Sequence, residues 1–146
     1  MFVNRLLPAA REKLVVISHA AYVIDAAELL APGTDLLAVC SARGSLAGVV
    51  TKSDLVRHIG RCRTEAFVVA VSAVMTTDVV VCSPRDWLND VWSRMKIRGL
   101  KNVPIADDNA RPIGLLNVRD ALQHLLQEVE NEEKLLRDYV MNVGYQ

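Results

Sequence analysis

The sequence predicts an α/β (α+β) protein made of two similar halves, each running strand–helix–strand–strand–helix, followed by a C-terminal helix. The first observation behind this is a short stretch used twice. Gly48-Val49-Val50-Thr51-Lys52-Ser53-Asp54-Leu55 is matched by Gly114-Leu115-Leu116-Asn117-Val118-Arg119-Asp120-Ala121. Gly48 and Gly114 lie 66 residues apart, and so do Asp54 and Asp120, and His58 and His124. Self-similarity at a fixed spacing constrains architecture before any single element is assigned. The second observation is that apolar runs of strand length alternate with segments whose apolar residues recur at helical spacing.

In the first half, Arg11-Glu12-Lys13 ends a polar lead-in, and Leu14-Val15-Val16-Ile17 reads as a buried strand. Ser18 to Ala21 forms a turn. Val23, Ala26, Ala27 and Leu30 then recur at helical spacing, and Pro32-Gly33 stops that helix. Leu36 to Cys40 and Leu46 to Thr51 read as strands around an Arg43-Gly44 turn. A helix is expected over Lys52 to Arg61, with Leu55, Val56 and Ile59 as its apolar stripe. The Phe67 to Val71 run is compatible with a strand or a packed extended segment.

The second half repeats the order. Val79 to Cys82 reads as a strand, and Ser83-Pro84-Arg85-Asp86 carries helix-start chemistry. Leu88, Val91, Trp92 and Met95 mark the inner face of a helix over Trp87 to Ile97, which Gly99 ends. Strands over Val103 to Ala106 and Ile113 to Asn117 flank a hairpin turn at Asp107-Asp108-Asn109, and a long helix opens near Val118. The first strands align at an offset of 65 (Val16 with Val81), so one residue has been gained before Lys101. Neither half holds much more than half of the core. They are therefore expected to pack together about a pseudo-twofold axis.

Composition narrows the function. The 17 basic and 17 acidic side chains cancel, so nothing in the net charge steers the chain to nucleic acid or anionic membrane. Cys40, Cys62 and Cys82 are odd in number and lack Cys-x-x-Cys spacing, which argues against a disulfide framework or zinc site and for a reducing compartment. The most apolar window, Ala66 to Met75, is too short to span a bilayer, and the N-terminus lacks a signal-peptide core. A cytoplasmic protein is expected. No Ser/His/Asp set, metal-ligand cluster or Gly-x-x-x-x-Gly-Lys loop is present, so no catalytic residue and no metal site is assigned.

The doubled Gly-x-x-Thr/Asn-x-x-Asp corner opens a helix each time, and the second follows a strand reading Asn102-Val103-Pro104-Ile105-Ala106-Asp107. With Val74-Met75-Thr76-Thr77 ahead of the second half, these residues resemble a tandem pair of cystathionine-β-synthase (CBS) domains over Leu14 to Leu126. The resemblance implies two CBS repeats, at 1–62 and 74–127, a linker at 63–73 and a helical extension at 128–146. It further implies a regulatory module that binds AMP, ADP or ATP, or else NAD or S-adenosylmethionine, between the repeats. The nucleotide-binding set it implies is Thr51, Ser53, Asp54, Thr77, Lys101, Asn102, Val103, Pro104, Asn117, Arg119 and Asp120, with His19 bordering the first pocket.

Physical chemistry is compatible with such a role, because a helix N-terminus favours an anion and a carboxylate one turn in can accept two hydroxyl hydrogen bonds. A plain helix cap is the competing reading of Thr51 and Asp54, since Thr-x-x-acid is close to a capping box. The first corner keeps its hydroxyls but has Asp35 where the second half has Lys101, and Ala38 where the second has Pro104. The second corner replaces the hydroxyl with Asn117 and gains Lys101 and Arg119. On charge alone the second corner is the better anion site, so Asp120→Ala is expected to weaken binding more than Asp54→Ala. His58 and His124, one turn after each aspartate, read as helix partners rather than ligands.

Beyond Asp120 the residues Leu122, Leu125, Val129, Leu136, Tyr139 and Val143 keep a three–four spacing broken by Glu132. Such a stripe is too apolar to leave in water, and it is expected to form a homodimer or pack back on its own module. The CBS resemblance implies a homodimeric sensor signalling to an unknown protein in trans. A dimerisation scaffold with degenerate, unoccupied pockets is the alternative.

Overall fold

The computed structural model describes residues 1–62 and 66–144, with the side chains of residues 66, 143 and 144 outside the description. Part of the expected linker (63–65) and the Val143 side chain thus lie outside the described residues. The elements are α1 (Leu7–Lys13), β1 (Val16–Ser18), α2 (Val23–Leu29), β2 (Leu36–Cys40), β3 (Leu46–Thr51), α3 (Lys52–Arg61), α4 (Leu88–Arg98), β4 (Asn102–Ala106), β5 (Pro112–Asn117) and α5 (Val118–Gly144). Short 3-10 turns lie at Val3–Leu6, Ala66–Val68 and Val71–Ala73. The mixed α/β fold of two repeated halves with a C-terminal helix is as the sequence predicts.

Each half centres on an antiparallel hairpin, and the two hairpins correspond residue for residue. Leu36 pairs with Thr51 in one and Asn102 with Asn117 in the other. The register slips between Val39 and Cys40 in the first and between Ile105 and Ala106 in the second, a bulge at the same repeat position. In the first half β1 adds a parallel third strand. The strand expected over Val79 to Cys82 shrinks to a single bridge from Cys82 to Ile105. Proline explains the difference. Ala38 donates its N–H to Val15 at 2.9 Å, whereas its repeat partner Pro104 has no N–H to give.

Four further expectations meet a different outcome. Arg11-Glu12-Lys13 is no lead-in loop but the last turn of α1, which opens with Pro8 in its first positions. Leu14 closes that helix, so β1 is only three residues long, and Val16 is 49% exposed rather than buried. In α3 only Leu55 of the expected stripe is buried; Val56 is 69% exposed, and the buried companion of Leu55 is Asp54. Of the two readings of Phe67 to Val71, the packed segment is nearer: 3-10 turns at Ala66–Val68 and Val71–Ala73 flank Ala70, which is bridged to Tyr22, and Val69 and Val71 pack on the first half.

The core shows how the halves are joined. Val3, Leu6 and Ala10 from the N-terminal turn and α1 pack with Leu88, Val91, Met95, Val103 and Leu116 of the second half. Reciprocally, Val71 from the segment leading into the second half packs with Ile17, Val23, Leu37, Val50 and Leu55 of the first. Each half is completed by the chain that introduces the other. A smaller cluster of Leu36, Val49 and Leu115, with Val79 against it, joins the two sheets.

The two corner glycines serve this exchange. A Cβ built on Gly48 would stand 2.6 Å from the Thr76 carbonyl oxygen, and one on Gly114 would stand 2.9 Å from the Ala10 Cβ. Gly48 thus allows Val49 and Thr76 to exchange backbone hydrogen bonds of 2.9 and 2.8 Å.

Candidate ligand-binding cleft

The first corner is built as a capping box. Thr51 is the N-cap of α3, and its Oγ1 accepts from the Asp54 N–H at 3.4 Å. Asp54 Oδ2 accepts from the Thr51 N–H at 2.9 Å and from its Oγ1 at 3.2 Å. Asp54 Oδ1 accepts from Thr76 Oγ1 at 3.1 Å and from Arg57 Nη1 at 3.3 Å. Asp54 is the buried charged residue of the described core, at 6% exposure. Its two oxygens already hold four donors, so a ligand hydroxyl reaches the carboxylate only by replacing one of them. Thr76 and Arg57 are the replaceable pair, because neither is fixed by the cap.

This corner opens on a cleft of about 210 Å³ between the halves. Thr51, Ser53, Asp54 and Arg57 line one wall with Leu36 and Val49. Thr76, Asp78, Val79 and Val80 come from the segment entering the second half, Arg98 from the last turn of α4, and Leu100, Asn102 and Pro104 from beyond it. Leu36, Val49, Val79, Val80, Leu100 and Pro104 give an apolar slot for a flat ring, with polar groups converging at one end. Ion pairs flank it, Arg57 with Asp54 and Arg98 with Asp78 at 3.6 Å. Typical small-molecule sites reach about 300–1,000 Å³.

The second corner is built differently. Asn117 Oδ1 accepts from the Arg119 N–H at 2.9 Å, an Asx-type turn, and its Nδ2 donates to Asn102 Oδ1 at 3.1 Å. Asp120 forms an ion pair with Lys13 at the end of α1. His124 Nδ1 lies 2.8 Å from the Asp120 carbonyl oxygen, one helical turn back.

Of the residues singled out from the sequence, Thr51, Ser53, Asp54, Asn102 and Pro104 meet in the cleft. Asn117, Arg119, Asp120 and Lys101 do not line it, and Lys101 and Arg119 are exposed. Val103 is fully buried in the core. Thr77 stands exposed beside Thr76, whose hydroxyl reaches Asp54. His19 is held in the loop after β1, its N–H donating to the Cys40 carbonyl at 2.9 Å. Thr76, Arg57 and Arg98 are the cleft residues that sequence reasoning missed. The repeat offered no signal for Thr76 or Arg57, because Ala10 and Gln123 stand at their equivalent positions.

A larger groove of about 760 Å³ lies elsewhere, between the N-terminal residues and α5, where the Phe2 and Trp87 rings stack at 4.5 Å. It contains neither corner. Among the described residues no group of three or more His, Cys, Asp or Glu is placed to hold a metal, and no helix is long and apolar enough to cross a membrane. Burial, reinforced by Asp86, pushes the Cys82 thiol up to about 12, which keeps it protonated and unreactive.

Residues 7–61 and 71–127 each match the CBS domain family. A protein of Methanopyrus kandleri is 27% identical over 94 residues, covering 62% of this chain and 48% of its own length. The match therefore spans about half of that relative. CBSX2, solved in complex with AMP, superposes with a TM-score of 0.72 at 24% identity, covering 86% of this chain and 96% of that one. The CBS domain pair of MJ0100, solved with 5′-methylthioadenosine and S-adenosyl-L-methionine, gives 0.68 at 18% identity, covering 88% and 97%. With both halves matched and their corners in register, the chain belongs to the CBS-domain family as a tandem pair.

Proposed function

We infer that this chain is a regulatory module that binds an adenosyl compound in the cleft at the first corner. The observation that carries this reading is the convergence of Thr51, Ser53 and Asp54 with Thr76, Asn102 and Pro104 around an apolar slot. The solved pairs with AMP and with S-adenosyl-L-methionine support the ligand class. In this reading the base lies between Val49 and Pro104. The sugar hydroxyls replace Thr76 at Asp54, and the charged end runs past Ser53 toward Arg57. Two CBS units at 1–62 and 74–127, a linker at 63–73 and an extension at 128–146 make up the module.

The charge-based preference for the second corner is reversed in this proposal, because the cleft belongs to Asp54. Asp54→Ala is expected to weaken AMP or S-adenosylmethionine binding at least tenfold, and Asp120→Ala by less than twofold. Titration calorimetry on both variants checks the order, and a larger loss in Asp120→Ala would refute it. Asp54→Asn separates the carboxylate from the cap, since the amide keeps the shape of the capping box.

The cell reads the bound state through a partner protein in trans, in a reducing cytoplasm where the three cysteines stay free. The role is regulatory rather than catalytic. The fully satisfied Asp54 carboxylate favours one competing reading, a scaffold whose corners are purely structural. Thermal unfolding with AMP, ATP, NAD and S-adenosylmethionine separates the two. A ligand at 100 times its Kd adds about 2.7 kcal/mol, whereas a scaffold melts unchanged with all four.

A further inference from the structure

The exchanged lead-in segments present different chemical groups to the two corner aspartates. The segment crossing Gly48 brings the Thr76 hydroxyl to Asp54 at 3.1 Å. The segment crossing Gly114 is α1, which brings the Lys13 ammonium to Asp120. The contacts at the glycines are equivalent, since Thr76 meets Gly48 and Ala10 meets Gly114, and Ala10 and Thr76 lie 66 residues apart, as the two glycines do. What differs is the donor that follows.

We propose that Lys13 takes Asp120 out of use, so that the chain holds one adenosyl ligand where its repeat symmetry would allow two. The proposal rests on the ligand reading of the first corner.

At Asp54, an incoming sugar hydroxyl replaces a neutral hydroxyl, an even exchange of like bonds. Arg57 also touches that carboxylate, but on its own helix, at 3.3 Å, with its side chain 58% exposed and bordering the cleft. It is free to turn toward a ligand's charged end. At Asp120 the same hydroxyl has to displace an ammonium. The carboxylate then gives up a partner of opposite charge and gains a neutral donor in its place, so that exchange is uphill. The backbone of α1 is fixed by Ala10 against Gly114 and by Leu6 in the core, so even when the Lys13 side chain swings outward its charge stays tethered beside Asp120. Lys13 therefore acts as a tethered occupant of the second corner, and it makes the two halves unequal in ligand capacity.

Titration calorimetry of the full chain with AMP, 5′-methylthioadenosine and S-adenosylmethionine tests this on wild type, Lys13→Thr and the charge-preserving Lys13→Arg. The expected result is one ligand per chain for wild type and Lys13→Arg, and two for Lys13→Thr, falling back to one in Lys13→Thr/Asp120→Ala. One ligand in both wild type and Lys13→Thr overturns the proposal and leaves the first-corner reading intact. Two in wild type overturns it as well. None in wild type but one in Lys13→Thr supports the blocking role and refutes the first-corner reading, and none in either overturns both. Lys13 is 44% exposed; should Lys13→Thr melt early by circular dichroism, Lys13→Gln carries the same test.

Discussion

Gly48 sits in a β-strand with ordinary backbone angles, so its importance lies in the missing Cβ rather than in conformational freedom. A methyl group there would stand 2.6 Å from a backbone oxygen, which cannot move without breaking the Val49–Thr76 pairing. Gly48→Ala is expected to destabilise by about 1–3 kcal/mol, the usual cost of overpacking. Gly60 is the internal control. It lies in α3 with nothing within 4 Å of its would-be Cβ, so Gly60→Ala is expected to stabilise by about 0.5–1 kcal/mol. Urea unfolding of both variants checks the opposite signs. The sequence shows both glycines, but their difference is invisible there, because it depends on a segment nearly thirty residues away from Gly48. Thr51 and Asp54 were legible because cap chemistry is local. Thr76 was not, because its partner lies 22 residues back along the chain.

Strong periodicity made α2, α4 and both hairpins legible at the scale of elements, and β2, β3 and α3 fall where their punctuation places them. The element the sequence concealed is α1. Its buried residue, Ala10, with Val3 and Leu6 ahead of it, forms a narrow apolar line that becomes meaningful only against the second half's core. Leu6 is 2% exposed, so Leu6→Ala is expected to cost about 2–5 kcal/mol. The loss should appear first in the second half: amide exchange at Met95 and Leu116 should accelerate before exchange at Val39. Equal acceleration in both cores would show instead that the halves unfold as one unit. The stub at Cys82 carries the complementary lesson. Its apolar run reads as a strand, and one proline on the neighbouring strand prevents the pairing.

For the whole molecule, α5 is the feature that a single chain leaves unsatisfied. Its 27 residues extend roughly 40 Å at about 1.5 Å per residue. Leu125 is packed on the second half, while Val129, Leu136, Tyr139 and Val140 are each more than half exposed. The Glu133–Arg137 pair at 2.9 Å supports the outer face without covering the apolar one. Burying that surface against a second copy is the economical solution in water. Full-length chain is expected to run as a dimer by light scattering, and a chain ending at Gln127 as a monomer. A dimer that survives the truncation would move the interface elsewhere on the module.

The reciprocal packing of the lead-in segments also bears on ancestry. A chain carrying one repeat with its own lead-in cannot close its own core by this geometry. Its lead-in reaches a core belonging to another copy, and the return exchange closes the pair as a twofold dimer. Gene duplication and fusion of such a swapped dimer would yield the present arrangement with no new contact, only a covalent joint between α3 and the segment that leads into the second half. Fusion then frees each corner from the identity that symmetry imposes. The Thr76 hydroxyl at Asp54 and the Lys13 ammonium at Asp120 are the kind of inequality that such freedom permits.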